Sequence, residues 1–174
     1  KAEAAKIIDV GGDVAGDTDL ERSLSRVNAL GERLNAFVES ETARLLAAGK
    51  IVGIVGGDHS VPFGGMKAAA ARLGKFGILH IDAHSDTRHA YEVFEYSHAS
   101  IMNNVLRKIP EVTKIVQVGI RDVCDEEMAF VAEQQQKAQA KMAEDAKTNL
   151  EKGEAFLKEN AAKEGVKTSA SGLQ

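Results

Sequence analysis

Two short apolar runs each end in a turn crowded with acid and histidine. IVGIVG (residues 51–56) leads into Gly57-Asp58-His59-Ser60, and GILHID (77–82) leads into Ala83-His84-Ser85-Asp86. Continuous apolar runs of this length suit strands covered on both faces. KIIDVG (6–11) ends in glycine and reads as a further strand, as does KIVQVGI (114–120). Helical periods separate them. Leu20, Leu24, Val27, Leu30, Leu34, Phe37 and Val38 recur at steps of three and four. Thr18 and Glu21 have capping-box spacing at the start of that helix, and Gly49 suits its end. Ser60 suits the cap of a helix reaching about Leu73, with Pro62 in a first turn where a missing N–H costs little. Another helix is expected near residues 97–107. Strands alternating with helices require crossover connections. The fold class is therefore α/β: a partial parallel sheet with helices on both faces, in three layers.

A chain of 174 residues, 44% apolar, has the length of one domain and can bury a sizeable core. A net charge of −4 argues against nucleic acid as the main ligand, since phosphate binding needs a basic face. No apolar run approaches the ~18–20 residues of a membrane span, so no membrane partner is expected. The single cysteine, Cys124, cannot form an internal disulfide, which suits a reducing, cytoplasmic compartment. No N-terminal signal pattern is visible, and a start without Met suits a fragment.

The composition is uneven. All five histidines fall between His59 and His98, and none follows. A boundary is expected near residues 130–134, dividing an α/β part at 1–131 from a tail at 132–174. The tail has no Pro and almost no β-branched residue up to about Asn160, and reads as one helix. Ala138, Met142, Ala146 and Leu150 give it a thin stripe at spacings of four. Gly153 interrupts it, Gly165 suits its end, and KTSASG (167–172) reads as a loop.

The chemistry gathers at the ends of the two central runs, where open α/β sheets place their ligand sites. Asp82, His84 and Asp86 follow one strand and His59 the other. Hard carboxylate oxygens mixed with imidazole nitrogens suit Mn²⁺, and also Zn²⁺ or Fe²⁺; without thiolates a cysteine-based zinc site does not apply. One carboxylate bridging two ions ~3.5–4 Å apart would let them hold an attacking water. His80 is assigned to packing and His89 to solvent. The glycines at 56, 57, 64 and 65 match neither GxGxxG nor GxxxxGK[ST], so they are not read as a phosphate cradle.

GGDHS followed by DAHSD resembles the ureohydrolase superfamily of arginases, agmatinases and formimidoylglutamases. YSHASIM (96–102) and VQVGIRD (116–122) fit its continuing pattern, and the likeness covers about residues 6–130. The resemblance implies an arginase-like three-layer fold and hydrolysis of a small guanidino or formimino substrate at a C–N bond. It implies two Mn²⁺ ions: His59 and Asp86 on one, His84 on the second, Asp82 between them. His98 would handle protons for the leaving amine. The family's Ser-x-Asp-x-Asp segment, which supplies two further metal carboxylates, is not in this sequence. Four ligands for two ions leave such a site under-coordinated, so normal turnover is not expected of this chain alone. SHAS stands where SHGT is commoner, and the Asn-containing loop of arginase itself is not evident.

The tail from about Gln134 to Gln174 resembles something else: the linker helix of FKBP-type peptidyl-prolyl isomerases of the Mip kind, with SGLQ opening the catalytic domain that would follow. That likeness implies an N-terminal dimerisation or linker module joined to a passenger domain, by a natural fusion, an engineered chimera or an artefact of sequence assembly. With one aromatic, Phe156, the tail has no aromatic-lined proline pocket, and isomerase activity is not implied. A homo-oligomer is also expected if the strand at 114–120 is left as an open edge.

Overall fold

The computed structural model describes residues 1–167, 169 and 171. They form two units, residues 1–128 and the chain from Ala129 onward. The first holds α1 (Ala2–Asp9), α2 (Thr18–Ala47), α3 (Phe63–Leu73), β1 (Phe76–Ile81), α4 (Ile101–Lys108) and β2 (Val112–Val118). Short 3-10 turns at Tyr91–Val93 and His98–Ser100 lie between β1 and α4. The last helix, α5 (Asp125–Ala161), begins in the first unit and makes up most of the second.

β1 and β2 pair in parallel, Ile78 opposite Ile115 and His80 opposite Gln117. Their connection runs through α4, as a parallel crossover requires. Alternation sets the two faces. Phe76 and Ile78 of β1 and Ile115 of β2 pack on a core of Phe63, Ala70, Ile101, Met102, Val105, Ile109 and Val112. Leu79 and Ile81, 64% and 73% exposed, point the other way with Val116 and Val118. The helix layer of the described residues thus covers one face of the sheet.

Two expected strands differ. Residues 6–11 are the end of α1 and the turn after it, not a strand. A short apolar run cannot distinguish strand from helix by its period. Here the tertiary contacts decide: Ile7 is fully buried, while Glu3 ion-pairs with Arg26 of α2 at 3.1 Å and accepts from Ser23. Residues 51–56 lie outside any sheet, with Ile51 and Val55 fully exposed. Without a neighbour to supply a ladder, an apolar run gains nothing from strand conformation.

The α2 helix is capped one residue earlier than the sequence suggests. Asp17, rather than Thr18, accepts from the Asp19 and Leu20 N–H groups, and Glu21 reaches the Gly16 N–H. Its buried stripe is small and polar: Ser23, Asn35 and Thr42 are inside, while Leu30, Leu34 and Phe37 are exposed. Ser23 is covered by α1, whose Glu3 it bonds, and Asn35 and Thr42 by the close approach of α3. A Cβ on Gly64 would lie 2.1 Å from the Asn35 carbonyl oxygen, so α2 and α3 meet backbone to backbone.

Ser60 does not cap α3. Its N–H and hydroxyl bond to Asp58, and Pro62 takes the N-cap position. Most of α5 is exposed, with Met142, Leu150, Phe156 and Leu157 on its surface. Lys137 and Glu133 pair along it at 2.5 Å. The expected SGLQ opening falls mainly outside the described residues, as does part of the expected loop at 167–172. Among the described residues no helix is long and apolar enough to cross a membrane.

Candidate metal centre

The carboxyl end of β1 delivers Asp82, and the turn that follows folds back under it. Asp82 Oδ1 accepts the His84 N–H at 2.9 Å and lies 3.2 Å from His84 Nδ1. Its Oδ2 faces the other way, 3.4 Å from His59 Nδ1 and 3.6 Å from His80 Nε2. Asp86 is buried with φ +55°, in the left-handed region. Its Oδ2 lies 2.6 Å from His59 Nδ1 and 3.8 Å from His80 Nε2. His59 arrives from the turn after residues 51–56, where Asp58 bonds the Ser60 N–H.

His59, His80, Asp82 and Asp86 therefore each offer a ligand atom within 4.8 Å of the others. Three of them are among the residues the motifs single out. His80 is not. It is buried on the covered face, as a packing residue should be, and the strand end carries its ring edge to the carboxylates. Its Nε2 has no hydrogen-bond partner. The Gln117 amide lies 3.0 Å from His80 Nδ1 and donates to the Ser85 carbonyl at 2.7 Å. An amide nitrogen oriented by Ser85 has a second N–H for Nδ1, which assigns the ring proton to Nε2, facing Asp82 and Asp86. Period-two alternation from Ile78 was the one signal for this placement.

The other two expected residues stand apart from that group. The His84 side chain is 61% exposed, and its Nε2 lies 3.7 Å from Asp122 Oδ2. His98 opens a 3-10 turn, edge-on to the Tyr91 ring at 5.8 Å, with Nδ1 3.8 Å from Asp58 Oδ2. A cleft of about 230 Å³ lies between them, lined by His84, Asp86, Arg88, Tyr91 and His98.

The two carboxylates titrate apart. Burial pushes Asp86 above the ordinary carboxylate range, against the pull of His59. The His84 backbone N–H holds Asp82 below that range, against the opposing effect of burial. Burial lowers His80, which favours a neutral ring. Two clustered carboxylates beside the His59 imidazole fit a divalent cation: the ion would supply the positive charge that the cluster lacks.

The sequence matches the arginase family model over residues 2–166. The chain belongs to the arginase family. Over 95 residues it is 40% identical to the N(1)-aminopropylagmatine ureohydrolase of Thermus thermophilus, covering 55% of this chain and 31% of that protein. The solved arginase from Medicago truncatula superposes with a TM-score of 0.53 at 33% identity, covering 62% of this chain and 33% of that one. The chain thus spans about a third of the length of these arginase-family relatives. A second likeness is short and close. Over 47 residues the chain is 72% identical to a probable FKBP-type peptidyl-prolyl cis-trans isomerase, FkpA, of Neisseria meningitidis, covering 27% of this chain and 17% of that protein.

Proposed function

We propose that this chain carries part of the metal centre of a hydrolase that cleaves a C–N bond in a small guanidino or formimino compound, and that Mn²⁺ is the ion. The carrying observation is the half-buried His59–Asp82–Asp86 cluster beside a cleft that His98 reaches. His59 and Asp86 would hold one ion and His84 a second. Asp82 suits the bridging role because its two oxygens face opposite ways, Oδ2 toward His59 and Oδ1 toward His84. When bound, the ions supply Lewis acidity and activate water near neutral pH. The chain's own residues do the rest. Asp82 and Asp86 neutralise the ions, Gln117 fixes the His80 ring behind both carboxylates, and His98 stands where it can exchange a proton with a leaving amine. Membership of the arginase family and the ureohydrolase name of the Thermus relative support a guanidino substrate. The single cysteine fits a cytoplasmic setting.

For residues 132–174 we propose an FKBP-type linker or dimerisation helix without catalysis of its own, joined to the ureohydrolase-like part at 1–131. The short, close match to the FKBP-type isomerase favours this reading, as does the exposed row of Met142, Leu150 and Phe156.

The test is metal content after loading with Mn²⁺ and exhaustive dialysis, with Asp82→Ala and His89→Ala alongside. Retained Mn²⁺ that is lost in Asp82→Ala and kept in His89→Ala is expected. At a hundred times its Kd the ion should add ~2.7 kcal/mol to stability. Equal loss in both variants, or no retention by the folded wild type, would overturn the assignment. A screen of guanidino and formimino compounds for amine or urea release then addresses the substrate.

A further inference from the structure

Glu127 is a carboxylate that the proposed chemistry does not use, yet it is 3% exposed. Its Oε2 accepts the Cys124 N–H at 3.1 Å and faces Arg88 Nε at 3.4 Å. Cys124 precedes α5 and Glu127 is the third residue of that helix, so this bond is the glutamate half of a capping box. Its other oxygen has no part in the cap. Oε1 accepts the Thr87 N–H at 3.0 Å, with Thr87 Oγ1 at 3.5 Å.

The Thr87 N–H belongs to the peptide that leaves Asp86, and Asp86 is the residue with φ +55°. A non-glycine residue stays in that region when its surroundings hold it there. Other restraints act on the neighbouring carbonyls. The Asp86 oxygen accepts from the Met102 N–H at 3.0 Å and the Asn103 N–H at 3.3 Å, and Asn103 Nδ2 donates to the Thr87 oxygen at 2.8 Å. Both peptides flanking Thr87 are thereby fixed within the interior.

We propose that Glu127 is a positioning residue for Asp86. Through the Thr87 amide it holds the loop in the conformation that turns the Asp86 carboxylate onto His59, and so it sets the affinity of the cluster for its ion. The inference rests on the metal reading above for its consequence, and on the hydrogen bonds alone for its geometry. The rival is a helix cap with no bearing on the ion.

The experiment titrates the full chain with Mn²⁺ alone, following free Mn²⁺ by electron paramagnetic resonance, below the melting point of every variant. Hydrogen exchange at the Met102 and Asn103 amides is read in parallel without metal. Glu127→Ala is expected to weaken Mn²⁺ binding 10–100-fold, the usual loss for a residue supporting a ligand, and to speed exchange at both amides. Ala138→Gly loosens the same helix at an exposed position and is expected to change neither. Wild-type affinity and exchange in folded Glu127→Ala would overturn the proposal, as would the same losses in Ala138→Gly. Should Glu127→Ala not fold, Glu127→Asp takes its place: it keeps an acid in the first turn but draws back one methylene from Thr87, with the same outcomes read. If wild-type chain binds no Mn²⁺, the metal reading falls, and the exchange rates still decide whether Glu127 holds the loop.

Discussion

The two faces of one small sheet are built to different standards. On the inner face Ile78 and Ile115 meet α3 and α4, and at its end the half-buried Gln117 links the buried His80 and Ser85 in a polar chain. On the outer face Leu79, Ile81, Val116 and Val118 meet nothing among the described residues that removes them from solvent. The strands are the same and the side-chain chemistry is similar. An apolar side chain contributes to stability through the area it loses to a neighbour, and not through its identity. The cluster of acids and histidines gathers at the end of the inner face, where the turn carrying His59 and the loop carrying Asp86 meet β1, so it is formed although the outer face stays exposed.

The sharpest way to break this comparison is Gly64→Ala, on the closely built side. The new Cβ would meet a backbone oxygen at 2.1 Å, which no rotamer change relieves, so α2 and α3 must separate. A loss of about 3 kcal/mol is expected, at the upper end for overpacking, read as a fall in melting temperature. A melting temperature within a degree of wild type would mean that the helices are not so close.

The faces themselves are compared by Ile78→Ala and Leu79→Ala, adjacent residues on opposite sides. Ile78→Ala should cost about 2 kcal/mol, and Leu79→Ala less than about 0.5, in denaturant unfolding. Similar losses would show that the outer face is covered in solution.

The smallest effect is one of pH. Burial opposes ionisation of Glu127, but hydrogen bonds from Cys124, Thr87 and Arg88 outweigh it and hold the group below the usual glutamate range. A depressed carboxyl contributes stability above its unfolded value of about 4.5, and that contribution is lost as pH falls through the folded value. Glu127→Gln should therefore lose less stability than wild type between pH 5 and the acid limit. Parallel acid curves would remove Glu127 from the account.

Much of the site was legible in the chain. His59, Asp82 and Asp86 are picked out by their place after apolar runs, and the structure brings them together. His84 is adjacent to Asp82 but turns toward Asp122, a residue on a loop whose approach depends on β2 pairing beside β1. His80 and Glu127 were not singled out for the site, for one reason. Each has an ordinary local role, in the core or in a helix cap, and gains its second role from a partner distant in sequence. Among the elements, α2 and β1 were readable from period and capping. The run at 6–11 was not, because six apolar-rich residues fit either period until α2 presents Ser23 and Arg26 to Glu3.

The sequence by itself determined the family, the parallel crossover from β1 through α4 to β2, the long C-terminal helix and the turns that carry the ligand candidates. These rest on local patterns: hydrophobic period, turn chemistry and fixed motif spacing. The tertiary structure alone decided which apolar runs became strands, which face of α2 is buried, and that His80 and Glu127 stand behind the cluster. Those outcomes depend on distances between segments far apart along the chain, where a hydrogen bond or a backbone contact at 3 Å outweighs the preference of any one residue.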